Sequence, residues 1–136
     1  MSFVYPHINL VALLIAAVAQ FCLGFVWYSG MTPIGKTWMA GIGVPDQGGQ
    51  PGAEMAIFPV SSLVAAWAVS LVIAWSGAAG ITQAILAAWV VAAAVTVQAI
   101  STGVATSKNT MTLHAINVGY LFVGYAIMGI IIGTIR

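Results

Sequence analysis

The sequence predicts an all-α membrane protein, a compact four-transmembrane-helix bundle with one longer loop between helices 1 and 2. Composition is the first reason: hydrophobic residues make up 62% of the 136 positions and charged residues only 4%, against roughly 25% charged in a soluble domain. The distribution of charge is the second. Segments 7–29, 55–77, 81–105 and 111–135 contain no Asp, Glu, Lys or Arg, and about 20 apolar residues suffice for a helix to cross the hydrocarbon. Helices are expected rather than a barrel because backbone groups in lipid must be satisfied within the segment, and no alternating in/out pattern is present. Residues 1–136 are therefore read as a single transmembrane domain.

Helix 1, residues 7–29, opens on an apolar run that invites comparison with a secretory signal, since Ala17-Val18-Ala19 has the small-x-small pattern of a cleavage site. Two features oppose cleavage. No basic residue precedes the run, and it continues through Phe21-Cys22-Leu23-Gly24-Phe25-Val26-Trp27. Cys22 is the single cysteine, so no intrachain disulfide forms. The loop that follows, 30–54, carries Lys36, Asp46 and Glu54. Its first half, Met31 to Met39, mixes apolar, aromatic and basic residues as a short interfacial segment does. Its second half, Val44 to Gly52, is rich in Gly and Pro and reads as a mobile linker.

Helix 2 (55–77) meets helix 3 (81–105) through the small residues Ser76-Gly77-Ala78-Ala79-Gly80, which force an antiparallel hairpin. Helix 3 meets helix 4 (111–135) through Thr106-Ser107-Lys108-Asn109-Thr110, again a tight turn. Helix 4 contains Gly129-Ile130-Ile131-Ile132-Gly133, a GxxxG that lets a second helix approach closely. Four spans put both termini on one side. Lys36 and Lys108 then oppose Arg136 and the terminal amine, which leaves the positive-inside rule nearly balanced. Trp27, Tyr28 and Trp38 at one end and Tyr5 at the other suit interfacial aromatic belts, and Trp67, Trp75 and Trp89 read as packing or anchoring residues.

Counting inward from the side of loops one and three, Gln20, Ser61, Ser62, Gln98, Ser101, His114 and Asn117 fall within about two turns of one another at ~1.5 Å per residue. Every span contributes a polar group to this layer. Gln98 is expected opposite Asn117 and Ser101 opposite His114, each pair three residues apart on its own helix and so on one face. Such groups serve either as interhelical glue, at about 0.6 kcal/mol per bond on average, or as a polar vestibule for water or a small ligand. His114 is the member that titrates near neutral pH.

Ile8-Asn9-Leu10-Val11-Ala12, Gly24-Phe25-Val26-Trp27-Tyr28-Ser29, Gly35-Lys36, Trp38-Met39, Ile116-Asn117-Val118-Gly119-Tyr120 and Met128-Gly129 bracket nearly the whole chain. Together they resemble a bacterial family of small membrane proteins catalogued as domain of unknown function 1761. In that family a proline directly follows the Tyr-Ser pair, whereas here Gly30-Met31-Thr32 intervenes before Pro33. The resemblance implies a four-helix bacterial membrane protein and brings with it no activity or binding residues.

Chemistry is sparse. There is no Cys cluster, Gly-rich phosphate loop or His/acid constellation, so no enzyme, metal centre or bound cofactor is expected, nor any nucleic-acid partner. His7 and His114 begin helices at opposite ends and cannot share an ion within one subunit, though either is a candidate single axial ligand to a pigment or haem. The leading expectation is a small polytopic accessory or structural subunit, or a homo-oligomer, in the bacterial inner (plasma) membrane with the lipid bilayer as its partner. The alternatives are a small oligomeric transporter with a polar vestibule, or a cofactor-binding subunit of a larger membrane complex. Four-helix multidrug exporters of similar length rely on a membrane-embedded Glu in the first helix, where this chain has Gln20, which exchanges no proton.

Overall fold

A computed structural model describes residues 4–42, 57–106 and 111–135. Among them are five α-helices: α1 (Leu10–Trp27), α2 (Pro33–Ile42), α3 (Ile57–Ser76), α4 (Ile81–Thr106) and α5 (Met111–Thr134). Four, α1, α3, α4 and α5, are long and apolar enough to cross a membrane. The chain is an all-α membrane protein.

Local chemistry explains where the helices begin and end. α1 starts at Leu10 and not at residue 7 because Asn9 is its N-cap, its side chain accepting from the Val11 and Ala12 N–H groups at 3.0 and 3.2 Å. The same amide donates to the Ile135 carbonyl at 3.5 Å, which ties the start of α1 to the end of α5. The interfacial segment expected after α1 is a helix of its own, α2. Thr32 caps it by accepting from Gly35 N–H at 3.0 Å, and Pro33 occupies the first helical position, where a missing N–H costs nothing. Gly30-Met31-Thr32 thus supplies the turn and cap that separate α1 from α2. Between α3 and α4, Gly77 adopts φ +66°, the left-handed region that a side chain disfavours, and Gln83 accepts from Ala79 N–H at 2.7 Å in front of α4. The linker expected over 44–52 and the turn residues 107–110 lie outside the described residues.

α5 is the hub. It packs on α1, α2, α3 and α4, most extensively on α4, while α1 and α4 stand at opposite corners with no mutual contact among the described residues. The packing surfaces are made of small side chains: Ala12, Ala16, Ala66, Ala84, Ala88 and Ala92 are fully buried. In lipid there is little hydrophobic drive between helices, so close approach of backbones is what holds them. Large apolar side chains such as Val11, Val18 and Phe25 on α1 and Val90 on α4 point outward, as a lipid-facing exterior requires.

The α1–α5 pair has a clear register. Asn9 meets Ile135, Gln20 meets Gly124 and Gly24 meets Tyr120, so the residue numbers of each pair add to 144. Continuing that register puts Ala16 level with Met128 and Ala12 level with Ile132, all four buried. On the other side of α5, Gly129 and Gly133 lie against Ala84 of α4. The helix that their GxxxG admits is therefore the chain's own α4.

Candidate functional site

Polar and aromatic contacts between helices gather where the C-terminal end of α1, the short α2 and the N-terminal half of α5 converge. Tyr28 caps α1 and is the centre of the cluster. Its hydroxyl donates to Asn117 Oδ1 at 2.9 Å. Its ring lies 4.7 Å from that of Trp38 on α2 and 5.1 Å, edge-on, from that of Tyr120 on α5, within the range where aromatic pairs attract. Trp27 Nε1–H donates to the Ile116 carbonyl at 3.1 Å, and its ring sits 6.5 Å from Tyr120. Tyr120 in turn donates to the Gln20 carbonyl at 3.4 Å. Burial, and secondarily the neighbouring Tyr120 phenol, push the Tyr28 hydroxyl well above the usual tyrosine range, so it remains a neutral donor to Asn117 at physiological pH.

The same convergence explains why α2 docks. Trp38 stacks on Tyr28, and Gly41, near the end of α2, leaves room for the Leu113 side chain from α5. Gly24, Trp27, Tyr28, Trp38, Asn117 and Tyr120, all within the segments that carry the family resemblance, meet at this one junction.

The structure puts the residues of the expected polar layer in separate surroundings. Gln20 is 3% exposed and packs on Gly124, its Oε1 without a hydrogen-bond partner. Asn117 stands level with the end of α1, seven residues further along by the register, or about 10 Å at ~1.5 Å per residue, and its Oδ1 is taken by Tyr28. Ser62 is buried, whereas Ser61 is exposed and donates to the Phe58 carbonyl at 2.9 Å. Gln98 lies on an exposed face of α4 and makes interactions of its own. The Ser101 side chain is outside the described residues. His114 is half-buried near the start of α5, with Nε2 enclosed and unpartnered. His7 is exposed ahead of α1, at the other end of the bundle. No group of three or more His, Cys, Asp or Glu capable of holding a metal occurs among the described residues.

Three participants escaped sequence reasoning. Tyr120 and Asn9 were visible only as parts of a family resemblance, and Thr96, 6% exposed with an unpartnered Oγ1, carried no signal among its apolar neighbours. For Tyr28 and Asn117 a signal did exist: a tyrosine and an amide at the same interface, each needing a partner if it turns inward.

The Tyr28–Asn117 bond makes a direct prediction. Tyr28→Phe and Asn117→Leu should each lower stability in detergent, and the double variant should lose less than the sum, with a coupling of about 0.6 kcal/mol as for other interhelical bonds. Strict additivity in thermal unfolding would remove the bond from the account of how α1 and α5 are held.

A family described as a protein of unknown function (DUF1761) matches residues 11–133. No curated protein and no solved structure matches the chain.

Proposed function

The chain belongs to the DUF1761 family, and from that premise we propose that it is a non-catalytic accessory or structural subunit of the bacterial inner membrane, working as a homo-oligomer or within a larger membrane complex. The observation that carries this reading is the use of the polar side chains at the α1–α2–α5 junction. Tyr28, Asn117, Trp27 and Tyr120 are bonded to one another or to backbone carbonyls of their own subunit. They fasten helices together and present no convergent set of groups to a substrate. The outward faces of α1 and α4, at opposite corners, are broad and apolar and offer surface for helix–helix association.

A small oligomeric transporter with a polar vestibule is the second reading. It is favoured by three enclosed polar atoms without partners, Gln20 Oε1, Thr96 Oγ1 and His114 Nε2. Enclosed polar atoms ordinarily find a partner, which is often water. The two readings separate in one experiment, native mass spectrometry of the protein purified in mild detergent together with identification of what co-purifies. The accessory reading expects a discrete homo-oligomer or a reproducible protein partner. A monomer with no associated protein, under conditions where the bundle stays folded, would overturn it.

A further inference from the structure

α2 (Pro33–Ile42) is fastened to the bundle at two points. Gly35 is buried against the Ser29 carbonyl with no room for a side chain, and Gly41 leaves space that Leu113 of α5 fills. These points fix the direction of the helix. They lie six residues apart along α2, about 9 Å at ~1.5 Å rise, whereas the α1–α5 register puts Leu113 only two residues, about 3 Å, beyond the level of Ser29 along the bundle axis. α2 therefore runs closer to parallel with the membrane surface than with the spans. Its depth follows as well. The membrane-spanning α1 ends at Trp27, and Trp38 of α2 stacks on Tyr28, the residue that caps it, so α2 lies just outside the hydrocarbon, in the headgroup layer.

We propose that the outer face of α2 is a docking surface for an anionic phospholipid, with the Lys36 ammonium on its phosphate and Ile34 against the upper part of an acyl chain. Charge selects the occupant. Lys36 is exposed and is the one charged side chain among the described residues, so no carboxylate among them neutralises it. The neighbouring Thr37 hydroxyl is already bonded to the Pro33 carbonyl at 2.8 Å. Helix geometry divides the face. Ile34 and Lys36 are two positions apart, about 200° around a helix of 3.6 residues per turn, so a flat α2 that turns one towards hydrocarbon turns the other towards phosphates and water. The exposures agree: Ile34 is 40% exposed and Met31, in the turn before the helix, 68%, apolar surface that suits the hydrocarbon boundary and not water. The inner side of the helix is already taken by Tyr28 and Leu113. The outer face holds lipid whether the bundle serves as an accessory subunit or as a transporter.

Two measurements on the full chain test this. Nitroxides placed at Ile34 and Lys36, one at a time, in vesicles of phosphatidylglycerol and phosphatidylcholine should respond oppositely. Oxygen, which partitions into hydrocarbon, should relax the label at 34, and a water-soluble nickel chelate the label at 36. Equal response of the two positions to the chelate would overturn the flat placement. In native mass spectrometry from an equimolar mixture of the two lipids, the protein should retain phosphatidylglycerol over phosphatidylcholine by about fivefold, the factor that one juxtamembrane lysine supplies. Lys36→Gln should bring that preference close to unity, and Lys36→Arg should keep it. Equal retention of both lipids by the unmodified protein would overturn the proposal, and so would a preference that survives Lys36→Gln. Such a preference lost in Lys108→Gln would move the lipid to the third loop. Because Lys36 is exposed, its variants leave the packed core intact, and the lipid count is separate from the count of protein copies that tests the accessory reading.

Discussion

Gly129→Leu is expected to abolish the folded bundle. A Cβ at residue 129 would stand 2.9 Å from the Ala84 carbonyl oxygen and 3.0 Å from Ile85 Cα, both backbone atoms of α4. No rotamer change relieves a clash with backbone, so the two helices must separate. They form the most extensive helix pair among the described residues, and Gly129 is buried within it. Overpacking a tight core costs about 1–3 kcal/mol or more, and here the loss extends along the Ala84–Ala88–Ala92 seam, all of it fully buried. The expected result is no cooperative thermal transition in detergent for Gly129→Leu and a lowered one for Gly129→Ala. Gly133→Leu should also destabilise, because its Cβ would meet the Ala84 Cβ at 2.7 Å and that atom is fixed by the α4 backbone, but here Ala84→Gly removes the obstructing atom and should partly rescue it. Normal unfolding of Gly129→Leu with an altered oligomer distribution would mean that the glycine pair serves contact between subunits after all.

The spans were legible because the bilayer dictates them. Charge is excluded over the length of a helix, and the four charge-free segments overlie α1, α3, α4 and α5 to within a few residues. At the start of α1 the difference is the Asn9 cap. Side-chain partners were not legible, and Gln20 and Asn117 show why. Counting from helix ends places Gln20 and Asn117 within about two turns, but it does not show which side chains touch, because α5 begins beyond the end of α1 and its Leu113 lies against Gly41 of α2. An interfacial helix resting on α5 was implied only loosely by the Met31–Met39 composition. In this arrangement Tyr28 stacks on Trp38 of α2 and bonds Asn117, while Gln20 packs on Gly124. The GxxxG was likewise visible as a motif while its partner was not, since small residues recur along every span and one sequence does not say which stripe meets which.

Gln20 and Gly124 yield the second large effect and bear on what the buried amide is for. A Cβ at Gly124 would run into the carboxamide of Gln20, a buried side chain that must shift to admit it. Gly124→Ala should therefore destabilise by about 1–3 kcal/mol, and a bulkier side chain there by more. Gln20→Ala alone should cost less, because it removes an oxygen that has no hydrogen-bond partner and leaves in exchange a small cavity. Combined, the two changes should compensate, with the new methyl occupying space that the amide vacates. The coupling should be at least about 1 kcal/mol, and additivity would show that the two side chains do not meet. A stable double variant also decides why an amide sits there. Packing alone is satisfied by a pair of alanines, so if this variant keeps its fold and its associated partner, Gln20 is structural. If it keeps its fold and loses a cellular phenotype that the unmodified protein supports, the enclosed oxygen has work beyond packing, and the vestibule reading displaces the accessory one.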